Sequence, residues 1–486
     1  MHLSSLPTPY GIGTMGQTAK DFVKFLKKAG QKYWQILPVC PTSYGDSPYQ
    51  SFSTFAGNPY FIDLDELRKE GLLKLSEYFD VDWESEPGCV NYGALYEKRY
   101  PVLRLAFKRF IETKSADFEE FCSEQGWWLH DYAMFMAIKD AHNGVSWLEW
   151  EEDIKRRNPI KLQEIEKQYS DDILFWKFTQ FYFFRQWKEL RKYANDNGIL
   201  IIGDLPIYVA LDSADVWSHP ELFQLNENLQ PIGVAGCPPD GFSATGQLWG
   251  NPLFRWDVMK QNNYEWWVKR IGYSCNIYNV LRLDHFRGFE SYFSIPYGAE
   301  DAKGGHWEKG PGIDLFNTLK EQLGEKQIIA EDLGFLTEPV KEMLAASGFP
   351  GMKVFELAFD SRDESSIEYL PHNYTSHCVA YVGTHDNDTI QGWFTSALSE
   401  DVKYAKDYLG IEDLSNGHWD MMKALWATVA DTAVVQAQDL FGLGSDSRMN
   451  TPSTLGTNWL WRALPGSFDD ELADKLYKYM KMYQRI

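Results

Sequence analysis

Four apolar runs in the chain each lead to an acid. Residues 280–283 (VLRL) end in Asp284, residues 327–330 (QIIA) in Glu331, and residues 199–202 (ILII) in Gly203 and Asp204. A fourth run, residues 378–382 (CVAYV), leads through Gly383 and Thr384 to His385 and Asp386. Two carboxyl groups about 5–5.5 Å apart can cleave a glycosidic bond with retention: one attacks the anomeric carbon, the other protonates the leaving oxygen and then acts as base. Asp284 sits between Arg282 and Arg287, and a nearby guanidinium favours the ionised form that a nucleophile needs. Glu331 directly follows the strand run QIIA; partial burial there would raise its pKa, as a general acid near neutrality requires. Asp386 could accept hydrogen bonds from sugar hydroxyls and help distort a ring.

These acids need elements that hold them at one place. Residues 32–38, 352–359 and 434–438 are further strand candidates, and helical spacing marks Phe22, Phe25, Leu26 and Ala29, as well as residues 313–323. Strands alternating with helices predict parallel βα units. Acids at the ends of several strands favour a closed barrel over an open sheet, because a barrel draws its active residues from the C-terminal ends of many strands. The expectation is therefore an α/β chain: one (β/α)8 TIM barrel over residues 1–486, with helical and loop insertions and no separate C-terminal β domain. The main insertion, about residues 65–195, reads as helical, and residues 469–486 as a terminal helix. Residues 233–252 hold Gly233, Gly236, Gly241, Gly246 and Gly250 with Pro238 and Pro239, and read as a mobile loop with aromatic tips. Such a loop would serve as a lid over the active site, excluding water in favour of another acceptor.

Composition narrows the partners. The 486 residues are 44% hydrophobic and 16% aromatic, with 47 basic against 69 acidic residues and a net charge of −22. That field repels phosphate backbones and anionic lipid, so neither nucleic acid nor a membrane is expected. The aromatic rings suit stacking on sugars as well as a core. Six scattered cysteines without a CxxC pair fit neither a disulfide framework nor a zinc site, and point to a reducing, cytoplasmic setting. No leader-like start and no spanning apolar run is read. Gly11, Gly13 and Gly16 spell GxGxxG, but Pro7 and Pro9 break the strand that a dinucleotide site needs before it, and no acid follows at the required distance. His285 and His385 have no metal-ligand spacing to another histidine.

The stretches SLPTPYGIG, YWQILPVCPTSYGDSPYQSFSTFAGNPYFIDL, IIGDLPIYVALDSADVW, GVAGCPPDGFSATGQLWGNPLF, LRLDHFRGF, IIAEDLG, GTHDNDT and RMNTPSTLGTNWLWR run from near Leu3 to Arg462. Together they closely resemble the amylomaltase (disproportionating enzyme) family of 4-α-glucanotransferases, related to the α-amylase superfamily. The resemblance implies Asp284 as nucleophile, Glu331 as acid/base and Asp386 as transition-state stabiliser. It implies that Arg282 and His385 bind the reacting sugar, that Asp204 supports the site, and that Ser47 and Tyr49 lie in an acceptor-side loop. Phe242, Gln247 and Trp249 would belong to the covering loop. It implies no metal and no organic cofactor, maltooligosaccharides and α-1,4-glucans as substrates, glucose as an acceptor, and a monomer or homodimer. Family members carry further residues, including a first barrel strand, ahead of the segment matching Met1–His2, so an open barrel edge is expected. A hydrolase using the same acids, an inverting enzyme and a non-catalytic glucan binder are the rival readings.

Overall fold

The apolar runs fold as strands. In chain order these are β1 (Tyr33–Gln35), β2 (Leu200–Leu205), β3 (Gly233–Cys237), β4 (Gln247–Pro252), β5 (Val280–Leu283), β6 (Ser291–Pro296), β7 (His306–Lys309), β8 (Ile328–Ala330), β9 (Gly351–Val354), β10 (Cys378–Tyr381) and β11 (Thr432–Val434). The computed structural model describes residues 1–486 apart from Ser85, Asp240, Gly241, Phe242 and Phe335. Seven strands pair only in parallel and neighbour one another in chain order, β1-β2-β5-β8 in one sheet and β9-β10-β11 in another. The Ala330 amide ending β8 donates to the Pro350 carbonyl ahead of β9 at 3.0 Å, which joins the two sheets. Sequential parallel strands with helical connections are the (β/α)8 arrangement. Among the described residues no strand lies between β11 and β1. A cavity occupies that side, lined by Gln35, Arg282, Tyr381, His385 and Gln436, with Met1 and His2 at its edge. The Tyr381 hydroxyl crosses it to donate to Gln35 Oε1 at 2.9 Å.

Strand parity decides what fills the barrel. Successive side chains point to opposite faces, so Val280 and Arg282 face inward while Leu281 and Leu283 face the surrounding helices. Register puts Ile202 beside Val280 and Asp204 beside Arg282, with Ile329 on the other side of Arg282. Ile202, Ile329, Met352, Val354, Val379 and Tyr381 form the barrel's own buried cluster, with Val280 and Val434 packed against it. The polar residues stand one step further along the strands, at their C-terminal ends. β2 runs on through Asp204 to Leu205, past the expected end at residue 202, because Gly203 admits the Tyr278 ring: a methyl at Gly203 would lie 2.2 Å from it. Residues 355–359 and 437–438, expected as strand, turn instead into a 3-10 segment and the start of a short helix, Ala437–Leu440.

Between Leu64 and Asp196 the chain is helical, and no strand occurs there among the described residues. Its last helix, Ser170–Asp196, buries Phe175, Phe178, Phe183, Trp187 and Leu190, an apolar face at helical spacing. The same helix fixes the loop that carries Tyr49. Gln180 accepts from the Gly57 amide at 2.7 Å and donates to the Gly57 carbonyl at 3.0 Å. Gln186 does the same at Asp63, at 2.7 and 3.2 Å. Buried peptide groups of an irregular loop are thereby satisfied.

Within the stretch 233–252, residues 233–237 and 247–252 are strands. Its flanks are β3 and β4, an antiparallel pair continued by β6 and β7 into a four-stranded sheet in the order β4-β3-β6-β7. Only residues 238–246 connect the two strands. Gly236 serves close packing here, since a methyl there would lie 2.1 Å from the Gln247 carbonyl oxygen. Gly16, from the rejected glycine motif, abuts the Asp63 carboxylate in the same way. The terminal helix is Asp470–Met482. No described helix is long and apolar enough to cross a membrane.

Candidate active site

Arg282 organises the C-terminal mouth of the barrel. It is 4% exposed. Its Nη1 donates to both oxygens of Asp204, at 2.8 and 2.7 Å, and to Asp284 Oδ1 at 3.0 Å. Its Nη2 lies 3.9 Å from Glu331 Oε2. Three acids from three adjacent strands thus meet one guanidinium, whose planar fork suits several carboxylates at once. A buried charge cluster of this kind persists only when its members are paired.

The backbone aims the two central acids. Past β5, the Asp284 amide donates to the Leu205 carbonyl of β2, and the Glu331 amide to the Leu283 carbonyl of β5, each at 3.0 Å. His285 then takes a left-handed conformation, φ 49°, which turns its amide onto Glu331 Oε2 at 2.5 Å. The Phe286 amide donates to the Glu331 carbonyl at 3.0 Å. Burial pushes both carboxyls up, Asp284 to about 7 and Glu331 to about 8, while Arg282 draws both down. Arg282 is hydrogen-bonded to Asp284 and further from Glu331, so Asp284 loses its proton first. Burial and the neighbouring Asp204 hold Asp284 less acidic than a free carboxylate.

Asp386 differs: its side chain is 48% exposed. Asn450 Nδ2 donates to Asp386 Oδ1 at 2.5 Å, Arg448 donates to the Asp386 carbonyl, and the Asn450 amide donates to the His385 carbonyl at 3.1 Å. His385 Nε2 is 3.4 Å from Asp386 Oδ2. The His385 ring stacks on Tyr49 at 5.1 Å and packs near Trp459 at 5.8 Å. Burial lowers the His385 pKa, which favours a neutral ring able both to donate and to accept.

Tyr49 donates its hydroxyl to Asp204 Oδ2 at 2.7 Å, so this residue too is tied to the Arg282 cluster. Ser47 acts on the loop itself, accepting from the Tyr49 amide at 3.2 Å. Trp249 meets the His285 ring edge-on at 5.0 Å, and its indole N–H donates to Gln247 Oε1 at 3.1 Å. Gln50 ties Trp249 to the loop of Ser47 and Tyr49 by donating to the Trp249 carbonyl at 3.3 Å. Phe242 lies outside the described residues. Asp204, Arg282, Asp284, Glu331, His385, Asp386 and Tyr49 are therefore linked by direct contacts, Trp249 joins them through His285, and Ser47 and Gln247 contact Tyr49 and Trp249. Reasoning from sequence missed Arg448, Asn450, Gln50 and Trp459. Arg448, Asn450 and Trp459 lie in the quoted stretch RMNTPSTLGTNWLWR, and the mixture of amide, guanidinium and indole groups there was the available signal.

A family model described as 4-alpha-glucanotransferase matches residues 1–466. A 4-alpha-glucanotransferase of Clostridium butyricum is 49% identical over 487 residues, covering 100% of both chains. One from Thermus thermophilus is 44% identical, covering 100% of this chain and 98% of its own. Among solved structures, an amylomaltase from Streptococcus agalactiae in complex with acarbose superposes with a TM-score of 0.96 at 43% identity, covering 100% of this chain and 98% of that one. An amylomaltase from Corynebacterium glutamicum, at 19% identity and a TM-score of 0.77, shares the fold. With the family model spanning most of its length and relatives of this identity matching end to end, the chain belongs to the 4-α-glucanotransferase family.

Proposed function

We propose that this chain cuts an α-1,4-glucan and passes the fragment to the 4-position of glucose or of another α-1,4-glucan. The mechanism is a retaining double displacement at Asp284 and Glu331. The observation that carries it is the single Arg282 guanidinium, which touches Asp284 and approaches Glu331 while leaving Glu331 the weaker acid. In the first step the Asp284 carboxylate attacks the anomeric carbon, the glycosidic C–O bond breaks, and Glu331 gives its proton to the leaving oxygen. In the second step Glu331, now ionised, takes the proton of the acceptor 4-hydroxyl. That oxygen attacks the anomeric carbon and releases Asp284. Arg282 keeps the nucleophile ionised and in place. Asp386 and His385 hold hydroxyls of the reacting ring, and the carboxylate of Asp386 gains most as positive charge develops on that ring. Ser47 and Tyr49 border the acceptor side. Gln247 and Trp249, both on β4, cover the cleft and disfavour water as acceptor.

No step calls on a metal or organic cofactor. The scattered cysteines support a cytoplasmic setting, and a monomer or homodimer suffices because the acids come from one chain. The test is incubation with maltotriose alone. We expect glucose together with a ladder of maltotetraose and longer products, all absent with Asp284→Asn. Glucose and maltose without longer products would make the chain a hydrolase and overturn the proposal.

A further inference from the structure

Behind the turn that carries His385 and Asp386 lies a group that the steps above do not use. Glu356, the second residue after β9, is 4% exposed. Its amide donates to the Val382 carbonyl at 3.0 Å, at the start of the turn. Its Oε1 is buried without a hydrogen-bond partner. This oxygen faces Gly383: a methyl placed on Gly383 would come within 2.9 Å of it, and within 3.1 Å of both Asn387 Cβ and Gln436 Nε2. The turn is thus packed between Glu356 and Gln436 at its first residue, and it closes on itself where the Thr384 amide donates to Asn387 Oδ1 at 2.9 Å.

Two further acids share this pocket. Asp388 accepts from the Thr389 amide at 2.8 Å and from the Ser445 hydroxyl at 2.7 Å. Asp439, 1% exposed, accepts from the Ile390 amide at 2.8 Å, and its Oδ2 has no partner. The charged groups whose fields reach Glu356 are Asp439, Asp388 and Arg448. Two neighbouring acids against one guanidinium leave a third buried carboxylate uncompensated.

We infer that Glu356 is a positioning residue for glycosyl transfer: its buried carboxyl wedges against Gly383 and fixes the turn from which His385 and Asp386 project. The wedge works as a neutral group. Burial, with Asp439 and Asp388 beside it, pushes the Glu356 pKa well up, and burial raises Asp439 to about 7. A neutral acid has the shape of glutamine and packs without repelling its neighbours; an ionised one would push against Asp388 and Asp439 and displace the turn. Because Asp386 acts mainly on the transition state, displacement lowers kcat and spares KM.

The inference rests on the proposed role of Asp386, so the test compares Glu356→Gln and Glu356→Ala with wild type by two readouts. In maltotriose disproportionation, Glu356→Gln should keep kcat within about twofold, while Glu356→Ala loses about tenfold or more with KM within about twofold. Thermal unfolding between pH 5 and 8 reports on Glu356 whatever Asp386 does. A carboxyl whose folded pKa is raised contributes stability that is complete below its unfolded pKa and declines as pH rises toward the folded one. Glu356→Gln should therefore lose less Tm than wild type over that range. Wild-type kcat in Glu356→Ala would overturn the inference. So would equal damage from both substitutions, or parallel Tm–pH curves for wild type and Glu356→Gln. An inactive Asp386→Asn with these results reversed would leave the role of Asp386 standing and remove that of Glu356.

Discussion

The two sides of the reaction centre are built on opposite plans. Asp204, Asp284 and Glu331 stand on neighbouring strands β2, β5 and β8 and share one buried guanidinium. Asp386 stands half exposed on a turn after β10, held by Arg448 and Asn450 from a segment more than sixty residues later. The first side is set by strand parity and register, so its geometry is as stiff as the sheet. The second depends on loop-to-loop hydrogen bonds that form only when distant pieces of chain meet. A nucleophile and an acid that must hold a fixed separation belong on the stiff side. A residue that follows a ring as it flattens can sit on the adjustable one.

Breaking the stiff side should cost most. Arg282→Met leaves buried Asp204 and partly buried Asp284 and Glu331 without their cation, and we expect a stability loss of about 3–5 kcal/mol and a fall in kcat/KM of about a hundredfold or more. Urea unfolding and steady-state kinetics measure the two effects. A variant of wild-type stability would show that the acids do not need Arg282. On the adjustable side, Asn450→Ala removes one hydrogen bond to a carboxylate, for which about 1.5–3 kcal/mol of transition-state stabilisation corresponds to a kcat loss of about ten- to a hundredfold. KM and urea midpoint should change little, and a loss confined to KM would refute the assignment.

The smallest effect is one of pH. Asp284 must be ionised and Glu331 protonated, so kcat/KM should fall as pH drops below about 7 and again as it rises above about 8. Glu331→Gln should abolish the alkaline limb of whatever activity remains on donors with a good leaving group. An alkaline limb that persists unchanged would assign it to another residue.

The stiff side was legible in sequence because a short apolar run and the acid at its end are local signals. Residues 280–283 marked the strand β5 and, one step beyond it, Asp284, the proposed nucleophile, with no need of distant contacts. Residues 233–252 misled for the converse reason. Their glycines resemble a loop, yet Gly236 is required by the close approach of β4, and β3 becomes a strand by pairing with β4 on one side and on the other with β6, some sixty residues away. Asn450 and Arg448 were hidden likewise: nothing in their own neighbourhood says that the chain returns to Asp386. The extension of β2 through Asp204 depended on Gly203 meeting Tyr278, a contact that local spacing does not contain.

The central claim is that Asp284 forms a covalent bond to the sugar while Glu331 manages the protons. It is tested most directly by treating Glu331→Gln with an α-glucosyl fluoride, whose leaving group needs no acid, and weighing the intact protein. We predict an increase of one glucosyl residue, mapped by peptide digestion to Asp284 and absent from the Asp284→Asn, Glu331→Gln double variant. A glucosyl residue on any other side chain, or rapid release of the inverted β-anomer with no adduct, would contradict the account.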